Sequence, residues 1–225
     1  MSLATIAAPT IETLADLLES LGDIPPRRIR MQPLPGTATE ADVLAAHAVD
    51  KRLCELVDGV LVEKPMGYEE SRLASAIIHA LIEFLSLHDL GTVAGEAGMM
   101  RLMEGLVRIP DVSFVRWERL PEKAGPIPPI SPDLAVEVLS ESNTPKEMER
   151  KLREYFENGT QLVWYLDLKL RTVTVYTSPD QCTVLDESDT LDGGRVLPGL
   201  VIPVRALSER ASRRGLAPGT DSASS

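Results

Sequence analysis

A glutamate stands in the middle of an otherwise apolar run, Leu134-Ala-Val-Glu-Val-Leu139. Six residues of this kind, opened by Pro132-Asp133 and closed by Ser140, fit a strand buried on both faces. An ionised carboxylate in such a strand is costly unless something pairs with it. The chain must therefore fold so that a cation reaches Glu137 inside the core.

A second run, Arg108-Ile-Pro-Asp-Val-Ser-Phe-Val115, puts Asp111 at the start of another apolar strand, and Lys151 lies one short helix beyond Glu137. Alternation along a strand places Asp133, Ala135 and Glu137 on one face and Leu134, Val136 and Val138 on the other. Asp133 and Glu137 are then about 13 Å apart along the strand, too far to share an ion with metal–oxygen bonds of about 2.1 Å. Asp111 on a neighbouring strand can lie about 4.8 Å from Glu137. Two such carboxylates can hold Mg²⁺ (or Mn²⁺), and Lys151 can steady negative charge or polarise a water. Together they are the minimum kit for metal-dependent phosphodiester cleavage. Without metal the two carboxylates should repel, so that one keeps its proton more readily.

Each residue also has a structural role open to it. Glu137 can form a buried ion pair with Lys151 or an arginine. Lys151 follows Glu147 by four residues, which fits a solvated helix pair or a place at the rim of the site. Glu55 can support the site from behind or sit exposed on its strand. Tyr155 can hydrogen-bond a carboxylate or simply pack. Asp133 reads as the opening of its strand. His47, His79 and His88 are scattered, with His79 expected to be partly buried.

The chain has 225 residues and a net charge of −11, with 4% aromatic residues. That balance disfavours a broad phosphate-binding surface and stacked aromatic platforms. It leaves room for a basic groove or a metal on an acidic body. Cys54 and Cys182 lie in no Cys/His cluster, so zinc is not indicated. They read as reduced thiols, and with no basic-then-apolar leader a cytoplasmic location is expected. No apolar stretch is long enough to span a membrane.

Residues 1–38 read as an N-terminal helical arm and Pro-rich connector. Thr10 is expected to cap a helix whose stripe of Ile11, Leu14, Leu17, Leu18 and Leu21 packs on the domain or serves as a homodimer arm. A domain over 39–207 follows. It has a hairpin at Asp58-Gly59, a long helix from about Leu73 to Leu85, and several strands. A Pro-rich loop at 117–132 is a candidate substrate-facing flap. Thr144-Pro-Lys-Glu147 predicts a helix start with a reciprocal capping box. Residues 208–225 are small and polar, and are expected to be disordered.

Several segments occur in an order that resembles a known family. They are Cys54-Glu-Leu-Val-Asp-Gly59, the Ile-Pro-Asp-Val-Ser113 strand, Asp133-Leu-Ala-Val-Glu-Val-Leu-Ser140, Lys151-(x)₃-Tyr155-(x)₃-Gly159, Trp164-Tyr-Leu-Asp167 and Leu197-Pro-Gly-Leu200. Over residues 39–207 the chain resembles the Uma-type family of putative restriction endonucleases, a branch of the PD-(D/E)xK nuclease superfamily. The resemblance implies an α/β (α+β) fold, a restriction-endonuclease-like mixed β-sheet flanked by helices. It also implies a divalent metal and DNA as substrate. By that likeness Asp111 and Glu137 are metal ligands and Lys151 is the catalytic lysine, displaced from the strand onto the next helix. Leu139 stands where Glu-x-Lys would place the lysine, and Tyr68-Glu-Glu-Ser71 stands where many relatives carry a histidine. The alternative function is an interaction or regulatory module that kept the fold after losing catalysis.

Overall fold

In the computed structural model, residues 11–65 and 67–212 are described, and they form twelve strands and five α-helices. Helix α1 (Leu14–Ser20) starts at Thr13, whose side chain pairs reciprocally with Asp16 in a capping box. The expected cap, Thr10, lies outside the described residues. Helix α2 (Glu40–Asp50) repeats the device with Thr39 and Asp42. Strands β1 (Cys54–Val57) and β2 (Val60–Glu63) form the expected hairpin. Asp58 and Gly59, with φ of 51° and 71°, supply the left-handed turn that matches strand twist.

Helix α3 (Tyr68–Leu85) and strand β3 (Gly91–Gly95) follow, then β4 (Met100–Met103), β5 (Leu106–Arg108), β6 (Val112–Arg116) and β7 (Leu134–Leu139). Helix α4 (Pro145–Glu157) leads to β8 (Leu162–Asp167), β9 (Thr172–Ser178) and β10 (Gln181–Leu185). The small strands β11 (Thr190–Asp192) and β12 (Val201–Pro203) precede α5 (Val204–Ser212). Six strands form one mixed sheet in the order β10-β9-β8-β7-β6-β3. Only β7 and β8 run parallel in it, joined by the α4 crossover. A four-stranded antiparallel sheet, β2-β1-β5-β4, stands beside it. The chain passes between the sheets at Ile109-Pro110-Asp111, from β5 to β6. The result is the mixed α+β architecture expected from the sequence.

The alternation in β7 is resolved by the helices. Leu134, Val136 and Val138 join the core with α3 residues Leu73, Ile77 and Leu81. Ala135 packs instead with Met148, Leu152 and Tyr155 of α4, and Glu137 shares that face. The two clusters divide the sheet cleanly, so the carboxylate is delivered to the α4 side.

Several expectations are corrected. The α1 stripe is spent inside the chain, where Leu17 and Leu21 pack with Ile24, Val57, Val60, Val62 and Leu106. Ile11 and Leu14, at the outer end of the stripe, remain exposed. Loop 117–132 is anchored by Ile127 and Ile130, each buried in a hydrophobic cluster, and none of its residues lines the cavity at Asp111 and Glu137. His79 is exposed. Residues 208–212, expected to be unstructured, form the last turns of α5; residues 213–225 lie outside the described residues. The α4 capping box is only half formed. Thr144 Oγ1 accepts from the Glu147 N–H at 3.1 Å, but the Glu147 carboxylate forms a bidentate pair with Arg28 at 2.7 and 2.9 Å.

That pair ties the N-terminal arm to α4, and Gly22 sits in the same contact. Its φ is +83°, and a Cβ there would meet the Glu147 backbone nitrogen at 2.6 Å. Gly22→Ala is therefore expected to destabilise the protein by about 1–3 kcal/mol. Urea unfolding checks this, and an unchanged midpoint would show that the arm is only loosely seated.

Candidate active site

Strands β6 and β7 pair antiparallel with Val112 opposite Val136. Continuing that register by one residue sets Asp111 opposite Glu137. The Val138 N–H donates to Asp111 Oδ2 at 2.6 Å, which fixes the aspartate carboxylate beside β7. Asp111 is 9% exposed and Glu137 4%. Asp133, the other aspartate after a proline, is taken up structurally. It pairs with Arg119 at 2.9 Å and accepts from the Arg116 N–H.

Lys151 is brought to Glu137 by the crossover. Its Nζ lies 3.1 Å from Glu137 Oε1 and 3.0 Å from Glu55 Oε1. At 2% exposure it is neither a rim residue nor a surface partner of Glu147. Tyr155, one helical turn on, donates its hydroxyl to Glu137 Oε1 at 2.6 Å. Glu55 on β1 is fully buried and is not an exposed strand glutamate. It accepts from Arg108 Nη1 at 2.7 Å and from the Ile109 N–H at 3.1 Å. Arg108 also binds Glu154, with Nε at 2.7 Å from Oε2. The candidate residues Asp111, Glu137, Lys151, Glu55 and Tyr155 are thus gathered in one buried assembly.

Sequence reading missed Lys64, just past β2. Its Nζ lies 2.9 Å from Asp111 Oδ1 and donates to the Ile109 carbonyl. The expected repulsion of the two carboxylates is thus partly offset, by Lys64 at Asp111 and by Lys151, shared with Glu55, at Glu137. Arg108 and Glu154 were missed as well. Arg108 carries the same signal that marked Glu137, a charge inside an apolar run, here Leu106-Val-Arg-Ile109.

The electrostatics follow from this packing. Burial pushes Glu137 above the usual carboxylate range; Lys151 and Lys64 pull the other way, while Asp111 adds to the rise. Glu55 is held well below that range: its burial cost is outweighed by Lys151 and Arg108 together. Lys151 and Arg108 resist burial and remain firmly charged, because Glu137 and Glu154 respectively are their strongest neighbours. Two adjacent glutamates thus diverge, Glu55 fixed as an anion and Glu137 readier to hold a proton.

Asp111, Glu137, Lys64 and Lys151 line a cavity of about 20 Å³ together with Glu70 and Glu96, room for one water-sized species. The cavity shares Pro65, Gly67, Glu70 and Ser140 with a surface groove of about 480 Å³. Among the described residues no three Asp, Glu, His or Cys side chains converge as a closed metal cage. The donor set still fits Mg²⁺, which is commonly held by one or two carboxylates and keeps waters and substrate oxygens as its other ligands. The protein contacts to Glu137 fall on Oε1, and each carboxylate oxygen has a second lone pair.

The family model described as "Uma2: Putative restriction endonuclease" matches residues 44–205. No curated protein matches the chain. Among solved structures, a crystal structure described as a putative nuclease belonging to DUF820 from Anabaena variabilis superposes with a TM-score of 0.65. It is 20% identical and covers 72% of this chain and 92% of its own. That likeness supports the fold. With 162 of 225 residues spanned by the family model, the chain belongs to the Uma2 family of putative restriction endonucleases.

Proposed function

We propose that the chain is a Mg²⁺-dependent (or Mn²⁺-dependent) endonuclease that hydrolyses phosphodiester bonds of DNA. The observation that carries the reading is the meeting of Asp111 and Glu137, from paired strands, at one small cavity beside the buried Lys151. The family assignment supports it. Asp111 and Glu137 would hold the ion. The chemistry the ion supplies when bound is polarisation of a phosphoryl oxygen and a lowered pKa for a coordinated water. The chain's own groups do the rest. Tyr155 fixes the rotamer of Glu137 through its hydroxyl. Glu55 aims the Lys151 ammonium, which offsets negative charge developing on the phosphate. Burial keeps these charges effective by excluding bulk water.

A non-catalytic module is the second reading. The −11 charge and the complete pairing of the site acids by lysines favour it. One experiment separates the two. The purified chain is incubated with plasmid and with single-stranded DNA in Mg²⁺, Mn²⁺ or EDTA. Cleavage is expected with either metal, none in EDTA, and none with Glu137→Gln. Cleavage that survives EDTA or Glu137→Gln would refute the assignment, and no cleavage by the wild type under any condition would leave the module.

A further inference from the structure

Lys64 has no role in the reading above. It follows β2 directly, yet its side chain turns inward and is 4% exposed. Two contacts hold its ammonium, one to Asp111 Oδ1 and one to the Ile109 carbonyl. Both belong to the short link that delivers Asp111 to the site. Lys151 cannot do the same work, because it is already shared between Glu137 and Glu55. Without Lys64, Asp111 would face Glu137 as a buried carboxylate lacking a cation, an arrangement that is costly to fold.

The same contact obstructs a metal. An ion held by Asp111 and Glu137 would stand within a few ångströms of the Lys64 ammonium, and like charges at that range repel strongly in a partly dry site. Glu70 and Glu96 line the same cavity and can receive the ammonium once it leaves Asp111. We infer that Lys64 is an exchangeable internal counter-cation: it neutralises Asp111 in the metal-free protein, competes with the divalent ion for it, and swings off when the ion binds. The inference rests on the reading of Asp111 and Glu137 as metal ligands. Linkage makes the competition reciprocal. Removing the ammonium tightens metal binding, and binding metal frees the ammonium.

Calorimetric titration of the full chain with Mn²⁺, in the absence of nucleic acid, compares the wild type with Lys64→Met. The variant is expected to bind roughly tenfold more tightly or better, and Glu137→Gln is expected to remove the site in either background. Because Lys64→Met leaves Asp111 without its cation and can fail to fold, the wild type supplies a second readout. An amine-reactive acylating reagent, followed by peptide mass spectrometry, should modify Lys64 slowly in EDTA and severalfold faster once Mn²⁺ saturates the protein. Unchanged or weaker binding by a folded Lys64→Met, or Lys64 labelling that Mn²⁺ leaves unchanged or slows, overturns the inference while the metal site itself stands. If no protein shows a Mn²⁺ site sensitive to Glu137→Gln, the inference and the proposed metal ligands fall together.

Discussion

Lys151→Ala is expected to lower the free energy of unfolding by about 3–5 kcal/mol, the usual cost of removing one partner from a buried ion pair, and to eliminate cleavage. The ammonium stands between Glu55 and Glu137, at 3.0 and 3.1 Å, with 2% of the residue exposed. Its loss leaves two buried carboxylates without their shared cation. Glu137 can relieve part of the penalty by taking a proton, since burial already raises its pKa. Glu55 is held by Arg108 as well and stays ionised. A rim lysine on an exposed helix face would instead contribute less than about 1 kcal/mol. Urea unfolding near neutral pH separates these magnitudes. Lys151→Arg divides structure from chemistry. It keeps the charge and should recover part of the stability, but its planar fork cannot reproduce the compact ammonium between two carboxylates, so cleavage should stay absent. A fully active Lys151→Arg would reduce Lys151 to a structural cation.

The sequence carried the strands and the two carboxylates because period-two alternation and a charge within an apolar run are local signals. Leu134 to Leu139 showed both, and the structure divides its side chains between α3 and α4 as that alternation requires. The depth of Lys151 was not legible. Helical spacing placed it beside Glu147, but whether that stripe faces water depends on where α4 docks. Here Arg28, from the N-terminal arm, captures Glu147 and leaves Lys151 to the core. Arg28 is 119 residues away in sequence, so no local window contains the competition. Lys64 was hidden for a related reason. A lysine between a strand and a proline looks like a surface residue until β1 and β5 pair and bring Asp111 alongside. Glu55 lies in the motif Cys54-Glu-Leu-Val57, where one charge among apolar residues was as informative as in β7. It was left undecided because a hairpin strand often has one face in water.

Arg108→Ala tests the far end of the same assembly and carries its own pH signature. Arg108 joins Glu55 to Glu154, so alanine removes a cation from two carboxylates at once. Glu154 keeps Arg150, with Nε 2.7 Å from Oε1. Glu55 keeps Lys151, which Glu137 also claims, the Ile109 N–H and the weaker pull of Lys64. A loss of about 3–5 kcal/mol near neutral pH is expected. In the wild type the folded-state pKa of Glu55 lies below its unfolded value. Its stabilising contribution is therefore present above the ordinary glutamate pKa, about 4.3, and is lost as pH falls through the depressed folded value. In the variant, burial acts on Glu55 with one cation fewer to oppose it, so its folded pKa rises and the protein regains stability when the carboxylate is protonated. Both effects have the same sign. The gap between wild type and variant should be widest near neutral pH and should narrow as pH falls through the folded-state pKa of Glu55 in the variant. Urea unfolding at about pH 7 and about pH 4 measures the gap directly. A gap that stays constant, or widens in acid, would mean that Arg108 stabilises the fold by packing its long side chain, and that Glu55 owes its charge to the lysines Lys151 and Lys64.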